Sequence, residues 1–279
     1  MTTPPDHPNV PEVSASPMVE VNFELRVGVG TLKASVEVPA GQTTMTGLLP
    51  ILQNLENAVI GKVAQEAALS GHSISCRAGC GACCRQLVPV SIFEAEALSQ
   101  WLSTLPEEQR AAIEQRFHDA LLTLREKGIL EQLLDEEWVK DEESVTKLAI
   151  DYFHAKVACP FLENESCSIH PIRPLSCREY LVTAPPERCE DPSIHDVRGV
   201  KLPFTLSRAL YRMGQELEHD TRGWIPMVFL LAWGRSGVHP GEYFAGTGQE
   251  VFRTFIEHLA TLPAADQNGK TPAGLMQST

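Results

Sequence analysis

The chain is short of positive charge, of aromatic side chains and of long apolar runs. Its 23 lysines and arginines are outnumbered by 36 aspartates and glutamates, leaving a formal charge of −13. Phosphate recognition needs a basic face, so this deficit argues against nucleic acid or an anionic membrane and favours solubility and a basic protein partner. The longest apolar run, Trp224 to Trp233, falls far short of the ~20 residues that span a bilayer. No Gly-x-Ser-x-Gly, phosphate-binding P-loop or His-Glu-x-x-His occurs, so the sequence signatures of these hydrolases, nucleotidases and metalloproteases are missing. Gly28-x-Gly30 lacks the third glycine and the strand-to-helix setting of a dinucleotide site, and reads as a hairpin turn. Met1 to Pro17 has neither a basic start nor an apolar core, so it is not a secretory signal. Its five prolines among polar residues read as a disordered tail. The expected compartment is the cytoplasm, where thiols stay reduced and grouped cysteines bind metal more often than they pair.

Cysteine is what the chain does have, in an uneven pattern. Four of the eight fall within nine residues, as Cys76, Cys80, Cys83 and Cys84. Cys159, Cys167 and Cys177 form a second island, and Cys189 follows it. Thiolates are soft, charged donors, and several converging on one point suit zinc or iron. Cys80-x-x-Cys83 lets one tight turn aim two sulfurs at one ion, with Gly79 and Gly81 allowing the backbone to turn closely. Cys83 and Cys84 are neighbours whose side chains diverge, which suits two ions or different corners of a cluster. Arg77, Arg85, Arg173 and Arg178 flank the islands and could compensate concentrated sulfur charge. A lone cysteine is often just a small buried hydrophobe. That plainer reading weighs least against the first island and most against Cys189.

The remaining chain reads as a mostly helical α+β scaffold. Alternating apolar residues at 19–29 and 32–38 predict a β-hairpin. Thr43 or Thr44 is placed to cap a helix whose stripe is Leu48, Leu52, Leu55, Val59 and Val63, ending at Gly71. Ser91-x-x-Glu94 is a capping box opening a helix through Leu102. Pro106 starts another, with Ile113, Phe117, Leu121 and Leu124 inward and Gly128 as its stop. The acidic stretch Asp135 to Glu143 reads as a solvated helix start. Val145, Leu148, Ala149, Tyr152 and Phe153 form a stripe leading into Cys159. Pro160, Pro171 and Pro174 are expected to forbid regular helix in the second island and leave it mostly loop. Helices are expected at 206–217, 225–233 and 251–259, within a single domain spanning 18–262, followed by a flexible tail at 263–279. His118, His154 and His258 read as ordinary surface or core residues, and Trp224 and Trp233 as core.

The ordered run Cys76, Cys80, Cys83, Cys84, then Cys159-Pro160-Phe161-Leu162, Cys167-Ser168-Ile169-His170 and Arg173-Pro174-Leu175-Ser176-Cys177-Arg178, resembles the CxxCxxCC family of zinc- or iron-chelating proteins. That family includes the YkgJ-type cysteine-cluster proteins. The resemblance covers about residues 76–180 and leaves the hairpin and the C-terminal helices outside. His170 stands where the family usually has tyrosine. It is either an added ligand or, more simply, a loop ring beside Pro171.

The resemblance implies an iron–sulfur cluster or Zn2+ held by thiolates from both islands, with iron–sulfur slightly favoured because only one close C-x-x-C pair is present. One branch of the family looks like flagellin lysine N-methylases. An S-adenosylmethionine-dependent protein methyltransferase or a cluster-using redox enzyme is therefore one alternative, and a structural zinc interaction module is another. Cys76-x3-Cys80-x2-Cys83 also has the spacing of the radical S-adenosylmethionine motif. Ala82 replaces the aromatic usual there, and the repeated strand–helix units of that barrel are missing.

Overall fold

The computed structural model describes residues 17–27, 30–77, 79–135, 138, 141–190, 197, 199–217 and 222–262. The expected tails at 1–17 (save residue 17) and 263–279, and the turn at 28–29, lie outside them. The described chain runs β1 (Met18–Val27), β2 (Gly30–Pro39), β3 (Gln42–Thr44), α1 (Met45–Leu69), β4 (Pro89–Ser91), α2 (Ile92–Thr104), α3 (Glu107–Glu126), α4 (Leu130–Leu134) and α5 (Glu142–His154). It continues through β5 (Leu162–Glu163), β6 (Ser166–Cys167), α6 (Leu175–Glu179), α7 (Leu206–Gln215), β7 (Trp224–Pro226), α8 (Leu230–Gly234), α9 (Pro240–Tyr243), β8 (Ala245–Thr247) and α10 (Gly248–Ala260). It is an α+β fold, mostly helical. Its strands form antiparallel pairs: β1 with β2, β3 with β8, β4 with β7 and β5 with β6. No helix among the described residues is long and apolar enough to cross a membrane.

The helix starts follow their caps. Thr44 accepts from the Gly47 amide, opening α1, and Ser91 and Glu94 form the expected capping box of α2. Thr247 and Glu250 make a second capping box on α10, at a position the sequence reading passed over. Gln42 faces Thr247 across the β3–β8 pair, so α1 and α10 start from one small ribbon. Pro106 and Gly128 bracket α3 as expected; Ile113, Phe117 and Leu124 are buried, while Leu121 is only partly so. Asp141 caps α5 by accepting from Ser144, which makes the end of the acidic stretch a helix start.

The largest apolar cluster joins the hairpin to α1, α2, α7 and α10, with Phe23 of β1 edge-on to Phe252 of α10 at 5.3 Å. Phe161 is fully buried in another cluster against Phe117 and Trp101. It anchors the second cysteine island to α2 and α3.

Two expectations are corrected. Residues 225–233 are not one helix. They begin in β7, which pairs with β4, then pass through a 3-10 turn into the short α8. Pro226, which cannot donate a helical hydrogen bond, falls at the strand end. The prolines of the second island do not exclude regular helix there. Proline is tolerated at a helix start, and Pro174 is the N-cap of α6, which carries Cys177.

Candidate metal centre

The first island begins with Ser75 tied to a later stretch. Its amide donates to the Val182 carbonyl at 2.9 Å, and its hydroxyl to the Val182 and Ala184 carbonyls. The Val182 amide in turn donates to Cys76 Sγ at 3.4 Å. Gly79 turns the chain at φ +81°, and Ala82–Arg85 forms a 3-10 turn that holds Cys83 and Cys84. A side chain at Gly81 would press on Leu162 and the Glu165 carboxylate, so glycine there permits the islands' close approach. Arg85 adds a bridge, bonding Glu165 through both terminal nitrogens and the Gly81 carbonyl through Nη1.

The second island is pinned directly to the first. The Cys159 amide donates to the Cys84 carbonyl at 2.6 Å. Cys167 faces Leu162 across β5–β6, a two-residue hairpin whose Asn164 and Glu165 both have positive φ, the geometry of a type I′ turn. Phe161 accepts from the Ser168 amide and hydroxyl, and Arg116 reaches from α3 to the Pro160 carbonyl. Thus residues some eighty positions apart share one region. Cys189 joins them, buried with Tyr180 and Val182 against Cys76 and Cys83.

All eight cysteines are free thiols, seven of them half-buried and Cys189 buried. Among the described residues, no three His, Cys, Asp or Glu side chains form a ready-made metal-holding group. Burial pushes most of the thiols up: Cys159 to about 12, Cys189 to about 11, and Cys76, Cys167 and Cys177 also upward. Cys83 is the exception. Cys84 donates a hydrogen bond to its sulfur, and with help from the Arg173 guanidinium this brings Cys83 down to about 7, while Cys84 is raised by the same bond. Cys83 is thus the shifted thiol most ready to ionise, a starting point for binding a soft cation.

The surrounding donors fit such a centre. Arg173 Nε is buried without a hydrogen-bond partner, whereas the buried Tyr180 hydroxyl lies within hydrogen-bonding reach of the Gln86 side chain. Arg173 acts electrostatically on Cys76, Cys83, Cys167 and Cys177, and Tyr180 is influenced by Cys76, Cys83 and Cys189. Buried donors normally have acceptors; negatively charged sulfurs would supply them. Of the four arginines flagged by sequence, Arg173 and Arg178 serve the thiols. Arg85 is largely committed to Glu165, and Arg77 is exposed. His170 lies in a 3-10 turn, exposed, with its pKa lowered first by burial and then by Arg173 and Arg178. Gln86 and Tyr180 were missed in the sequence. Their nearness to Cys84 and Cys177 in the chain was the available signal.

The scaffold grips α6 firmly. Glu94 Oε1 accepts the Leu175 amide at 2.6 Å, Ser176 Oγ donates to the Pro89 carbonyl, and Glu179 accepts from the Ser207 amide and hydroxyl. Arg178 donates to the Arg173 and Pro171 carbonyls and to Asn57 of α1. No curated protein and no solved structure matches the chain. Residues 75–193, a stretch that reaches beyond the expected 76–180 and holds every cysteine, match the model of the CxxCxxCC family, described as a "putative zinc- or iron-chelating domain".

Proposed function

We propose that the chain holds zinc or iron through thiolates drawn from both islands, with Cys76, Cys80, Cys83, Cys84, Cys159, Cys167, Cys177 and Cys189 as the ligand set. The observation that carries this reading is the convergence of two distant cysteine islands beside the buried Arg173 Nε, which lacks an acceptor. A bound metal would supply a focus of positive charge, and the thiols would release their protons to solvent on ligating it as thiolates. The chain's own residues position the sulfurs: Arg85 and the Cys159–Cys84 backbone bond hold the islands together, α6 is clamped from α2 and α7, and Arg173 offsets sulfur charge.

Within this reading an iron–sulfur cluster is favoured over zinc. Only Cys80 and Cys83 form a close pair, while the other sulfurs come from separate loops, an arrangement less typical of structural zinc. Anaerobic purification followed by metal and acid-labile sulfide analysis and a visible spectrum tests it. Iron with sulfide and a broad absorbance near ~400 nm supports the cluster and leaves a redox or methyl-transfer role open to assay. Zinc without sulfide supports a structural module instead. Protein with intact thiols and neither metal overturns the proposal.

A further inference from the structure

We propose that Asn57 of α1 is a positioning residue for the second cysteine island, acting through Arg178. By holding the guanidinium away from the neighbouring Glu56 carboxyl, it fixes the segment between Cys167 and Cys177. This inference rests on the metal-binding reading above and deepens it, because it brings to the site a helix outside the family-matched residues 75–193.

Arg178 is the bolt of that segment. It is 3% exposed, and each of its nitrogens has an acceptor. Nε donates to the Arg173 carbonyl at 3.1 Å, Nη2 to the Pro171 carbonyl at 2.5 Å and Nη1 to Asn57 Oδ1 at 2.8 Å. The Ile172 carbonyl, between the other two, accepts from Gln53 Nε2 at 3.5 Å. Gln53 and Asn57 stand four residues apart on α1 and so share one face. Three successive carbonyls are thus taken by Arg178 and by α1. They belong to the stretch that joins Cys167 on β6 to Cys177 on α6. That stretch carries a 3-10 turn at His170–Ile172, and its prolines have no amide to donate, so side-chain donors fix it instead.

The aim of Arg178 is a choice between acceptors. Glu56 precedes Asn57, has no exposed surface, and neither of its oxygens has a partner. The Arg178 charge already acts on it. A guanidinium bonds a carboxylate more strongly than it bonds an amide or carbonyl oxygen, through two parallel charge-assisted bonds. What keeps it from Glu56 is the set of three acceptors at the angles of its fork, and Asn57 is the one that α1 contributes. Without Asn57, Glu56 becomes the competing acceptor on α1. Turning to it would free the Pro171 and Arg173 carbonyls and let the segment shift, while the buried carboxylate gained a partner. Placement of the island and stability of the fold would then part company.

The test therefore reads the two separately. The full chain, reduced and stripped of metal without oxygen, is titrated with Zn2+ against a chromophoric chelator. Urea unfolding and amide hydrogen exchange at Ile172 and in α6 are followed in the metal-free protein. Asn57→Ala, at an exposed helical position that suits alanine, should weaken Zn2+ binding about tenfold, the scale of one hydrogen bond from a charged donor. Exchange should quicken, and the urea midpoint should stay at the wild-type value. Adding Glu56→Gln removes the competing carboxylate and should bring the affinity back to within about threefold of wild type. Asn57→Asp keeps an acceptor and should bind as wild type does. Arg178→Lys keeps the charge and loses the fork, and should bind as weakly as Asn57→Ala. Unchanged affinity in Asn57→Ala, wild-type affinity in Arg178→Lys, or a loss that Glu56→Gln does not reverse overturns the inference and leaves the metal-binding reading intact. A urea midpoint that falls along with the affinity shows a merely structural role and overturns it too. No zinc uptake by the wild-type chain overturns the metal-binding reading. Exchange in Asn57→Ala then decides the positioning role alone: faster exchange supports it, and unchanged exchange overturns it.

Discussion

Glu56 offers a sharp test of how the core handles charge. It sits on α1 with no exposed surface, and neither carboxyl oxygen has a hydrogen-bond partner. Burial raises its pKa well above the ordinary 4.5, the Glu179 carboxylate raises it further, and the Arg178 guanidinium opposes them. Arg178 offers only partial relief, because its nitrogens are occupied by Asn57, Pro171 and Arg173. A group whose folded pKa is raised stabilises the fold fully below its unfolded pKa and loses that contribution as the pH rises through the folded value. For Glu56 the loss begins near the unfolded value of 4.5 and continues upward. Glu56→Met keeps an unbranched side chain of similar length and removes the polar group. An unpaired buried polar group costs about 1–3 kcal/mol by mutational measures. The variant should therefore be more stable by about that amount near neutrality, raising Tm by ~2–4 °C per kcal/mol for a chain of this size. Urea unfolding followed by circular dichroism, at matched metal content and at mildly acidic and mildly basic pH, measures both the gain and its pH dependence. The gain should be larger at the basic end. A variant less stable than wild type at both ends would refute the reasoning and point to a partner for the carboxylate.

Other substitutions probe the scaffold. Ser91→Ala removes a buried cap from α2 and one of the donors to Glu94, and should cost about 1–2 kcal/mol in chemical denaturation. Phe161→Ala should cost about 3–5 kcal/mol, because the ring is fully buried against Phe117 and Trp101; faster reaction of Cys159 with a thiol reagent should accompany it. Gly223→Ala should prevent folding or destabilise by roughly 3 kcal/mol or more, since Gly223 has φ +70° and an added methyl would overlap the Tyr211 carbonyl. Loss of soluble, protease-resistant protein is the readout. Glu165→Gln, by contrast, breaks an ion pair whose carboxylate side chain is 53% exposed, and should change stability by less than about 1 kcal/mol.

Much of the scaffold was legible because local signals and packing agreed. The alternation at 19–27 and 32–38, the Thr44 cap and the Ser91–Glu94 box each reappear as hairpin strands or helix starts. Legibility failed where a short element depends on a distant partner. Residues 224–226 carry an apolar run that fits helix or strand, and only pairing with Pro89–Ser91 decides for strand. The same holds for β3 and β8, three residues each, which neither periodicity nor composition can separate from loop. At the candidate centre the cysteines themselves were plain in the sequence. What was not visible was their grouping, because it depends on Val182 and Tyr180 folding back onto Cys76 and on the Cys159 amide finding Cys84.

Glu94 links the readable part of the chain to the unreadable part. Read locally it is a capping-box residue, and Oε2 accepts from Ser91 as that role requires. Its other oxygen accepts the Leu175 amide, at the start of the helix that carries Cys177. A carboxylate at a helix start is favourably placed against the unpaired amides there, so one buried side chain serves the starts of two helices. Burial raises its pKa, while its bonds to Leu175 and Ser91 pull the other way. Glu179, at the far end of the short α6, repeats the device in reverse by accepting from Ser207 at the start of α7. The helix that positions Cys177 is therefore held at both ends by buried carboxyl groups belonging to or reaching from the helical scaffold. The regions outside the cysteine islands have a structural reason to be there: without them a five-residue helix has too few hydrogen bonds of its own to fix a sulfur in place.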